Sequence, residues 1–174
     1  MGFGQSSASE LCDGTLFGGS VECDDKDTFL RIGAGIMISP TLSAEVGFMD
    51  FGKFTYTEVS RAQLRAFAVE AELQAVTLQL GGYAPINEKL NLFGKLGVAF
   101  TQFDIEAGRV DGLFIQEATF DESDVEAIAT VGASYNFMPN AGINLQLDYV
   151  PNVGSDDTGE EDVFAISAGL KYQF

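Results

Sequence analysis

A chain of 174 residues, 46% hydrophobic and 20% charged, has material for one domain and no room for a second large core. Nine basic residues stand against 26 acidic ones, a net charge of −17, so holding nucleic acid by phosphate neutralisation is excluded. No apolar run reaches the roughly 18 residues of a membrane helix, which excludes a helical span and leaves a barrel open.

The opening MGFGQSS has neither the basic start nor the apolar stretch of a signal peptide, so a signal peptide is absent from this chain. GFGQS reads as a short first strand, and its shortness implies residues upstream of Met1. A long connection, about 8–27, follows. Three stretches then share one plan: MISPTLSAEVGF, YAPINEKLNLFG and NFMPNAGINLQLDY each place a tight turn around Pro40, Pro85 or Pro139 between alternating segments. Turn chemistry between period-two runs predicts β-hairpins. The six strands are expected near 28–38, 42–52, 73–84, 90–103, 125–137 and 141–150, with DVFAISAGLKYQF as the eighth. The remaining connections, about 53–72, 104–124 and 151–162, are long.

One stretch resists this reading. SRAQLRAFAVEAELQAV is rich in helix formers, with Leu64, Phe67, Ala71 and Ala75 near helical spacing, so a short surface helix before the fourth strand is an open alternative. Gly81 and Gly82 further on suggest a bulge or a switch of face.

Short turns alternate with long loops, so all the long loops lie at one end of an up-and-down sheet. The strands have unlike faces. Ile143, Leu145, Leu147 and Tyr149 share one side of their strand, and Asn144, Gln146 and Asp148 the other. The less apolar faces of the set carry Arg31, Glu45, Lys95, Asp148 and Lys171. Alternation alone does not say which face is inside. Strands near ten residues match a tilted crossing of a bilayer, so the expected fold class is all-β, an eight-stranded antiparallel up-and-down transmembrane β-barrel over residues 1–174. A soluble lipocalin-like carrier is the alternative in which the apolar faces point inward.

The sequence resembles the eight-stranded outer membrane barrels of the outer membrane protein A type. PTLSAEVGFMDFGK is similar to the family's strand after the first short turn, and SAGLKYQF fits its terminal pattern through Ser167, Gly169, Tyr172 and Phe174. The resemblance implies that this ending is read by the barrel assembly machinery, and it places the chain in the outer membrane of a Gram-negative-type bacterium, as a monomer among lipid and lipopolysaccharide. It also implies a glutamate at Glu45 paired with basic residues of other strands, and small-pore activity in some members. Nothing follows the eighth strand, so the peptidoglycan-binding domain of many relatives is not expected.

Within that frame, Cys12 and Cys23 share the first long loop, where two cysteines of an exported chain are expected to form a disulfide. Arg31, Glu45, Lys95, Asp148 and Lys171 form either a satisfied polar plug or an ion path, and lumen filling at this strand count favours the plug. Acidic residues crowd three of the long loops, as in ECDDKD and SDDTGEED. They read as a solvated surface or as a cation-bridged contact to lipopolysaccharide, and they lack the spacing of a calcium loop. No metal site, cofactor or catalytic set is expected: outer membrane barrel hydrolases use a histidine base, and this chain has none. The expected role is structural or interactive, presenting acidic loops to an extracellular partner that the sequence does not name, with a narrow solute or ion pore as the alternative.

Overall fold

The computed structural model describes residues 1–8, 20–24, 26–60, 65–111, 114–153 and 161–173. It is all β. The strands are β1 Gly2–Ala8, β2 Ser20–Asp24, β3 Lys26–Ser39, β4 Leu42–Ser60, β5 Arg65–Pro85, β6 Leu90–Asp111, β7 Phe114–Asn136, β8 Ala141–Val153 and β9 Glu161–Tyr172. β2 and β3 lie along one flank of β4, β2 on its far part and β3 on its near part. The eight staves run β4-β3-β1-β9-β8-β7-β6-β5, and a β4–β5 pairing closes the ring. Every pairing is antiparallel.

The three proline turns are where the sequence puts them, between β3 and β4, β5 and β6, and β7 and β8. The extents of the strands differ from expectation. The segments 53–72 and 104–124 are not long loops, because β4 to β7 run on through most of them. Among the described residues no helix precedes the fourth stave. Residues 65–77 belong to β5, hydrogen-bonded to β4 on one side and β6 on the other. Pairing on both flanks overrides local helix preference.

Gly81 and Gly82 make no bulge: they stand opposite Lys95 and Gly94 in unbroken register. The irregularities fall elsewhere, at Met37/Ser39, Asp50/Lys53 and Val150/Val153. Two of them have a visible cause. Gly52 has φ +79° and Asn152 φ +53°, a left-handed backbone that glycine and asparagine adopt most readily. Beside Asn152, Pro151 has no N–H to give. β8 parts from β7 here, their last paired residues being Ala129 and Tyr149.

The faces resolve cleanly. Ile32, Ile36, Val46, Leu78, Leu80, Leu96, Ile143, Leu145, Ile166 and Leu170 are exposed on the outside, Leu145 by 56% and Leu96 by 69%. Their in-register neighbours Arg31, Thr77, Gln79, Lys95, Gln146, Asp148 and Ser167 are buried inside. On β6 the apolar band runs from Leu92 to Phe100 and on β5 from Val76 to Ala84, roughly the nine to eleven residues a tilted strand needs to cross a hydrocarbon core. This is the reverse of a soluble carrier, whose large apolar groups would point inward.

Candidate functional site: the lumen and the rim

Along every stave from β3 to β9 the inward face changes character at the same depth. Toward the short turns it is polar, and next comes an apolar layer, with Thr101 and, farther toward the long connections, Glu58 buried beyond it. Thus Arg31 is followed outward by Phe29, Glu45 by Met49 and Phe51, Gln79 and Thr77 by Ala75 and Leu73, Lys95 by Ala99, Thr130 by Ile128, Asp148 by Val150, and Ser167 by Ala165 and Val163. The apolar residues form one buried cluster, in which Phe29, Met49, Phe51, Leu73 and Val150 have no exposed surface. Phe29 and Phe51 meet ring to ring, with centroids 5.1 Å apart. On β1, Ser6 donates its hydroxyl to the carbonyl oxygens of Phe51 and Asp27, tying the strand to this layer.

Below it lies a hydrogen-bonded polar layer. Arg31 Nη1 donates to Asp148 Oδ1 at 2.5 Å, and Nη2 to Gln79 Oε1 at 2.6 Å. Thr130 Oγ1 donates to Asp148 Oδ1 at 2.6 Å and accepts from Gln79 Nε2 at 2.9 Å, while Gln146 Nε2 reaches Asp148 Oδ2 at 3.2 Å. A buried carboxylate with three donors, one of them a cation, meets the condition for keeping its charge out of water. A second cluster sits nearer the short turns. There Glu45 accepts from Lys95 Nζ at 2.5 Å, Tyr83 Oη at 2.7 Å and Ser43 Oγ at 3.0 Å.

The five charged residues singled out by sequence therefore all face the lumen, but as two pairs and a remainder. Lys171 stands apart, its Nζ 5.6 Å from the centre of the Tyr83 ring. Gln79, Thr130, Gln146, Ser43 and Tyr83 join the pairs although a search for charge does not pick them out. Nor does it mark the apolar layer. The signal was available in the alternation: stepping by two from Arg31 or Asp148 lands on Phe29 or Val150.

Of the ending, Ser167 is buried in the lumen wall and Gly169 packs against Asn144. Tyr172 points outward and accepts a hydrogen bond from Asn140 Nδ2 at 2.9 Å, and Phe174 lies outside the described residues. Cys23 lies on β2 opposite Tyr56, and Cys12 falls outside the described residues.

Above the apolar band β4 to β7 continue as a wall whose outer face is acidic. Glu70 stands opposite Glu106 and Glu72 opposite Asp104, like-charge pairs that repel across the strands. Lys53 Nζ offsets part of this, 2.6 Å from Glu70 and 3.5 Å from Glu72. The hydrogen bond to Glu70, with the charges of both glutamates, holds the Lys53 ammonium above the usual lysine range.

The fold has solved relatives. Neisserial surface protein A, from Neisseria, superposes with a TM-score of 0.63 at 14% identity over 99% of this chain and 95% of its own. OprG of Pseudomonas aeruginosa gives 0.59 at 15%, over 99% and 93%. Ail, the attachment invasion locus protein of Yersinia pestis, gives 0.54 at 17%, over 99% and 94%. No curated protein matches the sequence. The sequence itself matches the OmpA-like transmembrane domain over residues 1–174, and with eight staves, an apolar outer band and a charged lumen the chain belongs to that family of outer membrane β-barrels.

Proposed function

We propose that this outer membrane barrel is closed, is not an enzyme, and works through the surface it presents outside the cell. One observation carries the reading: the layer of Phe29, Met49, Phe51, Leu73, Ile128 and Val150, each at most 1% exposed, spans the lumen above the Arg31–Asp148 layer. An ion crossing it would shed its hydration in an apolar constriction whose bordering hydroxyls, Ser6 and Thr101, are already donated to backbone carbonyls. Eight strands leave an interior that side chains fill, which supports the same conclusion.

The chain would then be a monomer seated in lipid and lipopolysaccharide, inserted by the barrel assembly machinery through its terminal Ser167, Gly169, Tyr172 and Phe174. Its acidic wall would meet the external partner. Ail, named for attachment and invasion, has also been solved with the heparin analogue sucrose octasulfate. The Glu70, Glu72, Asp104 and Glu106 face argues against such a polyanion here and for a cationic partner surface.

Planar-bilayer recording tests the closed lumen. The native chain should give no resolved conductance steps, and Phe51→Ala combined with Phe29→Ala should produce them. Steps from the native chain, unchanged in the double variant, would make the narrow pore the better reading.

A further inference from the structure

We propose that the short-turn half of the lumen is a binding chamber for a small phosphate that carries a P–OH group. A cavity of about 950 Å³ lies there, lined by Arg31, Glu45, Lys95, Asn144, Gln146 and Lys171 among others. A second of about 290 Å³, between the short turns, shares Lys171 with it. The space has a sequence cause. Glycines stand at inward positions Gly33 and Gly35 on β3, Gly81 on β5, Gly142 on β8 and Gly169 on β9, among Ser43, Glu45, Gln79 and Lys95.

The charges in the chamber do not balance. Arg31 is bound to Asp148 and Lys95 to Glu45, each at 2.5 Å. Lys171 has no carboxylate within ion-pair distance among the described residues, only the face of Tyr83. One positive charge is therefore left over, inside a protein of net charge −17. The acidic wall that adds to that total lies beyond the hydrocarbon band, on the other side of the apolar layer. An anion entering between the short turns meets a local cation.

A second observation narrows the anion. Among the described residues Asn144 Oδ1 is buried without a hydrogen-bond donor, and the Ser134 and Ser167 hydroxyls are likewise unpartnered. Asn144 stands opposite Gly169, one inward step from Lys171 on the neighbouring strand, so the two side chains are diagonal neighbours on one face. A buried acceptor without a donor is costly, and its natural complement is an O–H. Hydrogen phosphate supplies both halves, a P–O⁻ for Lys171 and a P–OH for Asn144. Sulfate, a carboxylate and a phosphodiester headgroup bear the charge at neutral pH but have no O–H to give. The proposal concerns the chamber alone and stands whether or not the apolar layer above it conducts.

The test is a titration of the isotope-labelled barrel in zwitterionic lipid nanodiscs, followed by backbone amide resonances at constant ionic strength. Inorganic phosphate should give saturable shifts at Gly142, Asn144, Gly169 and Lys171, and sulfate and dimethyl phosphate should give none that saturate. Lys171→Gln should weaken phosphate at least about tenfold, Lys171→Arg should retain it, and Asn144→Leu should erase the preference over sulfate. Both Lys171 variants must show native spectra outside the chamber, which separates loss of the site from loss of the fold. Absence of saturable shifts, equal response to sulfate, or binding indifferent to Lys171→Gln would each overturn the proposal.

Discussion

Arg31 and Asp148 grip each other at 2.5 Å across 117 residues of sequence, the Asp148 side chain fully buried and that of Arg31 9% exposed. Removing one member strands the other. Asp148→Ala should lower stability by about 3–5 kcal/mol in urea unfolding from lipid vesicles. Arg31→Met with Asp148→Leu should recover most of that loss, because a matched apolar pair leaves no buried charge. A double variant as unstable as the single one would show that the pair is worth more than its desolvation.

The outer band makes a separate claim. Leu145 is 56% exposed on the lipid side. Leu145→Arg should cost roughly 2–4 kcal/mol near the midplane, while Leu145→Phe stays near neutral. The same vesicle unfolding measures both. A tolerated arginine would mean that this face does not meet hydrocarbon.

Gly52 closes the bulge of β4 at φ +79°, and a β-carbon there would press on the Asp27 carboxylate. That carboxylate accepts from the backbone N–H groups of Thr28 and Lys53, each at 2.6 Å. Gly52→Ala should therefore destabilise by about 1–3 kcal/mol, through strain and a displaced cap together. Asn152→Gly, at the other left-handed residue, should be neutral. Equal effects at the two sites would remove Asp27 from the explanation.

Cys12 and Cys23 are expected to be joined in native material. Intact mass without reductant should fall about 2 Da below the reduced value, the two hydrogens lost on bond formation. Two alkylatable thiols in protein never exposed to reductant would refute the bond.

Much of this fold is written as alternation, and alternation is legible. Ile143 to Tyr149 and Phe164 to Tyr172 announce their strands because one face must meet lipid and the other must not. Above the bilayer that demand ends. Around Glu70, Glu72, Asp104 and Glu106 both faces tolerate charge, so the period fades and residues 65–74 look helical although β4 and β6 hold them extended. The lumen was legible in part. Charge marked Arg31, Glu45, Lys95, Asp148 and Lys171, but pairing depends on barrel tilt and side-chain reach, which no single strand encodes. The apolar layer escaped notice because its residues, such as Phe29 and Val150, are ordinary in any strand and gain meaning only from the phase they share with a charged neighbour two positions away.

Gly2 of β1 pairs with Gly169 of β9, so the cylinder is sealed by its first and last staves. That places the most distant contacts in the sequence at the seam. A ribosome releasing the chain from the first residue onward cannot complete such a topology, since its closing partner is made last. High contact order of this kind slows folding and prolongs exposure of sticky, half-formed sheet. Until that seam pairs, β1 and β9 keep open edges, and closure ahead of aggregation becomes a race. Yield of the closed cylinder should accordingly track the rate of seam pairing more closely than the thermodynamic stability of the finished cylinder.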